Sequence, residues 1–329
     1  MKYCIYGLGA VGGLIGGRLA RAGLPVSGLV RGDTLSAVRK RGLKLICDGR
    51  EDVVQLEVAD QPETLGPQDV IFLTVKNTAI ASVTENIAAL VHERTVVVSA
   101  MNGVPWWFYH GLDVNPAYLQ RIESIDPGGL VSQAIPAERV VGCVSNLSAT
   151  TPQPGTVAYA PNPKFTFGEP TGGAHSDRCA AIMADMKGAG FDVHAAPSIQ
   201  QTIWFKLWGN MTVNPISAIT GATGDRIVDD PLVRDFMARC MNEAREVGER
   251  LGISLTAQPE ERFEATRRLG AFRTSMLQDV GANKPLELDA LVGTVREIAS
   301  HVGVATPNID ALFGLARLFA RTHGLYPQS

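Results

Sequence analysis

The chain has 329 residues, long enough for two domains and for a core that needs neither disulfides nor metals. Hydrophobic residues make up 45 % and charged residues 19 %, an ordinary globular balance, and the net charge of -3 excludes a general nucleic-acid-binding surface. Five scattered cysteines, odd in number and without a Cys-x-x-Cys pair, speak against a disulfide framework or zinc site and fit reduced thiols in the cytoplasm, and the six histidines show no metal-binding spacing.

In chain order, residues 1–200 read as short apolar runs alternating with helical stretches. Tyr3–Tyr6, Val26–Val30, Asp69–Val75, Thr95–Ser99 and Val140–Val144 are continuous in hydrophobicity and bounded by turn residues, as strands of a parallel sheet buried on both faces require. Runs at Thr156–Tyr159, Lys164–Gly168 and Phe191–Ala195 are separated by Pro and Gly and are expected as antiparallel additions. Glycines interrupt the apolar stretch up to Gly17, so it is not read as a signal peptide, and no later segment approaches the ~18 apolar residues of a membrane span.

From Pro197 the pattern is helical, over 199–219, 231–251, 257–270, 286–302 and 307–322. Asp230-Pro231 and Thr306-Pro307 supply an N-cap followed by proline, and Gly252 follows the second helix. The expected fold class is therefore α/β: a Rossmann-like doubly wound sheet over 1–197, followed by an all-helical domain over 198–329. Exposed apolar stripes on those helices favour a homodimer.

Gly7-Leu8-Gly9-Ala10-Val11-Gly12 is a G-x-G-x-x-G run directly after the first strand and at the start of a helix. Gly7 permits the tight turn, Gly9 the approach of a pyrophosphate and Gly12 close helix–strand packing, while the helix N-terminus offers free N–H groups to phosphate. After the second strand stands Arg31, where an NAD site carries an acid for the ribose 2′-hydroxyl. A guanidinium grips a 2′-phosphate instead, so NADPH is the expected cofactor, with Asp33 two residues on. Lys76 and Asn102 follow later strands at the carboxyl ends, where open α/β sheets bind ligands.

In the segment 203–215, Lys206, Asn210 and Asn214 fall within about 80° of one helical face, with Ser217 beside them and Trp204, Leu207 and Met211 on an adjoining apolar side. One ammonium and two carboxamides beside a packed face are costly to bury unless they meet a ligand. Pro215 is expected to bend or break this helix near Asn214. A second cluster runs Thr274-Ser275-Met276-Leu277-Gln278-Asp279 and on to Glu287 and Asp289, whose acids read equally as paired groups or as the exposed start of a helix.

Together the fingerprint, Arg31, Lys76, Asn102, the Lys206-x-x-x-Asn210-x-x-x-Asn214-Pro215 helix and the Ser275…Glu287-x-Asp289 run resemble the ketopantoate reductase family, over nearly the whole chain. The resemblance implies reduction of 2-dehydropantoate to (R)-pantoate with NADPH, on the route to pantothenate. It implies Lys206 as general acid, Glu287 binding the substrate hydroxyl and positioning that lysine, and Asn102, Asn210, Asn214 and Ser275 holding the substrate. Asn102 and Lys284 would also touch the cofactor. Two alternatives are a β-hydroxyacid dehydrogenase acting on a bulkier substrate and a non-catalytic NADPH-sensing protein. Arg31 and Ser275 argue against the first, and retention of Lys206 with Glu287 against the second.

Two stretches depart from the family pattern. The loop Thr220-Gly221-Ala222-Thr223-Gly224 lacks an asparagine found in some members, and Trp106-Trp107-Phe108-Tyr109 begins a long insert reaching about Pro136. The insert is expected to be either a satellite core or dimer contact, or a lid that enlarges the pocket. A site split between Asn102 and Lys206 would imply a hinge near residue 197.

Overall fold

The computed structural model describes residues 1–173 and 176–328. By packing, the chain divides into two compact units, one of residues 1–101 with 130–199 and the other of 102–129 with 200–329.

The first unit holds twelve strands among its described residues: β1 (Tyr3–Tyr6), β2 (Val26–Leu29), β3 (Leu43–Cys47), β4 (Arg50–Val54), β5 (Glu57–Ala59) and β6 (Val70–Leu73), then β7 (Val96–Ser99), β8 (Val140–Asn146), β9 (Ala149–Gln153), β10 (Thr156–Tyr159), β11 (Lys164–Gly168) and β12 (Asp192–Ala195). Eight form one sheet in the order β12-β11-β8-β7-β6-β1-β2-β5. From β5 to β8 this is the 3-2-1-4-5-6 order of a dinucleotide-binding fold, with every pair parallel. The inner strands are apolar on both faces, and Tyr3, Ile5, Phe72 and Val98 are fully buried.

The three later strands do not all add in antiparallel sense. β11 pairs antiparallel with β8. β12 is parallel to β11, because the helix Asp177–Gly188 carries the chain back over the sheet between them. β10 lies instead in a second sheet of order β4-β3-β10-β9. That sheet explains the glycine-rich helix Ala10–Arg21. A Cβ at Gly16 would stand 2.9 Å from Ile5 of the main sheet, and one at Gly13 2.7 Å from Val157 of the second. The helix is squeezed between two sheets, and only glycine lets both approach.

The second unit is built on the helix Ile199–Thr220, with others at Pro231–Arg250, Pro259–Arg268, Ser275–Gly281, Thr294–Val302 and Pro307–Thr322. Contrary to expectation, Ile199–Thr220 runs past Pro215 without ending. Residues 211–218 are all buried, so tertiary packing holds the turn that lacks one backbone donor. The expected helix 286–302 begins later, with a π-helical turn at Asp289–Gly293. No helix is long and apolar enough to cross a membrane among the described residues.

Residues 102–129 belong to the same compact unit as the helices, although they follow a strand of the other. The aromatic run gives the reason: Trp107 and Phe108 are buried, Phe108 stacks on Trp204 at 5.7 Å, and Tyr109 Oη lies 3.2 Å from His301 Nδ1. The aromatic start of the insert is core of the second unit, whereas its last residues, 130–136, belong to the first. Asn102 and Lys206 consequently belong to one unit, and the premise of a hinge between them falls away.

Candidate active site

In the first unit the fingerprint residues form a cradle at the carboxyl end of β1. Gly7 has φ +100°, and its N–H donates to Leu29 O at 3.0 Å. Its carbonyl accepts from Thr74 Oγ1 at 2.7 Å, which ties the turn after β1 to the end of β6, where the sheet order reverses. A Cβ at Gly12 would stand 2.0 Å from Gly7 O and 2.3 Å from Thr74 Oγ1, so no other residue fits there. A Cβ at Gly9 would meet nothing within 4 Å. Gly9 is the N-cap of Ala10–Arg21, whose first turn carries no acid. Open space before uncapped N–H groups is what a pyrophosphate requires.

Arg31 is exposed at the N-cap of Gly32–Arg41, directly after β2, and its Nη2 makes a long 3.5 Å contact to Ser82 Oγ. Lys76 stands at the N-cap of the 3₁₀ turn that follows β6. The cradle, Arg31 and Lys76 therefore share one end of the sheet. Lys284 belongs to the second unit, exposed in the turn after Ser275–Gly281, with its N–H donating to Asp279 O at 2.9 Å.

In the second unit the contacts bring together three of the expected segments. Lys206 Nζ donates to Asn102 Oδ1 at 2.8 Å. Asn102 is placed by Gly103, whose φ is +83° and where a Cβ would stand 2.3 Å from Ala290 O. Val104 N–H donates to that same carbonyl at 3.2 Å. The loop at 102–104 is thereby anchored on the π-helical turn that starts two residues after Glu287, between buried Leu286 and Leu288. Such turns often mark functional sites, since they re-aim side chains within a helix. Gly103→Ala is expected to destabilise the protein by about 1–3 kcal/mol through overpacking. If it shifts Asn102 by ~1 Å, turnover should fall by roughly 10²-fold; thermal unfolding and steady-state kinetics read the two effects separately.

Below Lys206 on the same helix, Asn210 is half-buried and Asn214 buried, and both line a cavity of about 120 Å³. The helix also packs on Pro231–Arg250, with Trp204 Nε1 donating to Ala244 O at 3.2 Å and Trp208 Nε1 to Met241 O at 2.6 Å, and Met237 and Met241 of that helix help line the cavity. Ser217, although on the polar face by angle, is fully buried and donates to Ala222 O at 2.7 Å, a structural role. Ser275 is exposed as the first residue of its helix, beside the N-cap Thr274 that accepts from Leu277 N at 3.1 Å. Asp289 accepts from Tyr326 Oη at 2.6 Å, and burial pushes its carboxyl above the usual range. Arg262, a cavity-lining residue with no signal in its sequence context, was not anticipated.

A strand–glycine turn–helix cradle on a doubly wound sheet, followed by a helical unit carrying a lysine and asparagines, defines a nicotinamide-dependent oxidoreductase of two-unit design. Comparison with known proteins narrows the class. The family description "Ketopantoate reductase PanE/ApbA" matches residues 3–172, and its C-terminal counterpart matches residues 198–320. The 2-dehydropantoate 2-reductase of Mesorhizobium japonicum is 38 % identical over 327 residues, covering 99 % of this chain and 100 % of the relative. A solved structure from Ralstonia solanacearum, assigned as a ketopantoate reductase, is 48 % identical with a TM-score of 0.93 and 99 % of each chain covered. D-mandelate dehydrogenase, solved with NADH and anilino(oxo)acetate, shares the fold at 20 % identity and a TM-score of 0.84, with 99 % of this chain and 100 % of that one covered. The chain belongs to the ketopantoate reductase family.

Proposed function

We propose that this protein reduces 2-dehydropantoate to (R)-pantoate with NADPH in the cytoplasm, with Lys206 as the general acid. The observation that carries this reading is the Lys206–Asn102 pair at 2.8 Å, held on a helix whose next two turns present Asn210 and Asn214 to a cavity. Bound NADPH supplies the hydride to C2 of the keto acid. The Lys206 ammonium polarises the C2 carbonyl, stabilises the growing alkoxide and gives up a proton to that oxygen. Asn102 orients the ammonium by accepting one of its three hydrogens. Glu287 binds the substrate hydroxyl, and Asn210, Asn214 and Ser275 complete the polar shell. On the cofactor side, Gly7 to Gly12 receive the pyrophosphate, Arg31 the 2′-phosphate, and Lys76 and Lys284 add positive charge.

A panel of 2-keto acids, including ketopantoate and an aryl 2-keto acid, tests the reading by NADPH oxidation. Turnover of ketopantoate is expected, and no turnover with any branched 2-keto acid would overturn the assignment. Best turnover of the aryl acid would move the protein to a bulkier substrate with the same chemistry. Arg31→Ala should raise the KM for NADPH by about 10–100-fold, the worth of charge-assisted hydrogen bonds, with little change for NADH. Equal use of NADH by the wild type, or an unchanged KM in the variant, would remove the NADPH preference.

A further inference from the structure

We propose that Arg262 is the carboxylate receptor of the keto acid site, its guanidinium forming the charged wall of the cavity that Asn210 and Asn214 share. The inference rests on the keto acid reading above and assigns the one substrate group that reading leaves without a cation.

Arg262 lies on the second turn of Pro259–Arg268 and reaches across to the helix that carries Lys206. Its guanidinium rests on the bare backbone of Gly209, where a Cβ would stand 2.5 Å from Nη2 and 2.8 Å from Nε. It also lies over the ring of Phe205, 5.0 Å from the centroid. A glycine below and an aromatic face beside it fix the plane of the fork, the orientation that a bidentate grip on a carboxylate needs. Phe263, Leu269 and Phe272 close the apolar part of the cavity.

The charge is uncommitted. Nε is buried and makes no hydrogen bond among the described residues. Burial alone lowers the pKa of Arg262, with no acid contributing. Three acids near this helix are engaged elsewhere: Asp229 pairs with Arg267 at 2.8 Å, Glu264 pairs with Arg267 as well, and Glu261 accepts from Gln258 N–H at 2.8 Å. Arg178 shows the usual solution, since it is held by Glu169 at 2.5 Å. An inward-facing guanidinium without a carboxylate costs stability unless a ligand brings one. Gly209 and Asn210 lie one helical turn, about 5.4 Å, beyond Phe205 and Lys206. A 2-keto acid carries its carboxylate on the carbon next to the carbonyl, so a cation held against Gly209, about one turn along the helix from Lys206, suits its two adjacent oxygen groups.

The test compares wild type, Arg262→Gln and Arg262→Lys on the best-used 2-keto acid and on its uncharged methyl ester. Arg262→Gln is expected to raise KM for the acid by about 10–100-fold, while kcat/KM for the ester stays within about twofold. Arg262→Lys, which keeps the charge and loses the fork, should fall between. Equal losses on acid and ester would mark Arg262 as structural and overturn the proposal, as would an unchanged KM for the acid. Calorimetric titration with pantoate separates this inference from the function it rests on. If the wild type turns over no keto acid, pantoate binding that Arg262→Gln abolishes still supports the receptor, and binding that survives the change overturns it.

Discussion

Replacing Lys206 by alanine is expected to lower kcat by about 10²–10⁴-fold, the usual contribution of a positioned general acid, while NADPH affinity stays within about twofold. Lys206 stands on the helix Ile199–Thr220, outside the fingerprint turn that would hold the pyrophosphate, so the two effects should separate. The side chain is only partly buried, and its ammonium donates to the Asn102 amide oxygen. Thermal unfolding of the variant checks that the fold is kept. Asn102→Ala, which keeps the ammonium but frees its orientation, should lose less than Lys206→Ala. A Lys206→Ala enzyme that retained wild-type kcat on ketopantoate would remove the acid role, and transient kinetics with pre-bound NADPH would show whether the loss lies in the chemical step.

Gly12→Ala is expected to damage the cofactor cradle more than any conservative change nearby. The new Cβ would fall 2.0 Å from Gly7 O and 2.3 Å from Thr74 Oγ1, distances that no relaxed structure contains. One of the obstructing atoms is backbone, so the helix must move away from β1 or the turn must open. Either response moves the N–H groups at the helix start by ~1 Å, which should weaken NADPH binding by at least ~10-fold. Overpacking of this kind costs about 1–3 kcal/mol, a fall of several degrees in unfolding temperature. Gly9→Ala is the control, because a Cβ there meets only open space in the protein alone. It should leave stability nearly unchanged and still weaken NADPH binding, since the methyl group projects where the pyrophosphate is expected. Titrations of NADPH and thermal unfolding of both variants give the comparison.

The buried parallel strands were legible because each is short, apolar throughout and followed by a turn, and β1 has the expected bounds; so do β10 and β11, although their parallel pairings with β3 and β12 were not expected. The helices of the second unit were legible from caps such as Asp230, which accepts from Leu232 N and Val233 N at 3.0 Å. The second sheet was not. β4 is exposed along four of its five residues, and β3, although apolar at Leu43 and Leu45, finds its partner β10 more than a hundred residues away, so nothing local announces the pairing. Arg262 was invisible for a related reason: on a helix rich in Arg and Glu, nothing local separates an inward guanidinium from a solvated one.

By itself the sequence determined what depends on near neighbours along the chain: the glycine turn after β1, the arginine after β2, and the spacing that sets Lys206, Asn210 and Asn214 on one helical face. These rest on fixed backbone periods and on the special geometry of glycine, which are the same in any fold. Tertiary structure alone decided which segment accompanies Lys206. Asn102 follows a strand of the first unit, yet buried Trp107 and Phe108 draw its loop onto the second, and Gly103 locks it against Ala290 O. Burial of large aromatic surface outweighs chain proximity in that choice, and no local rule records it.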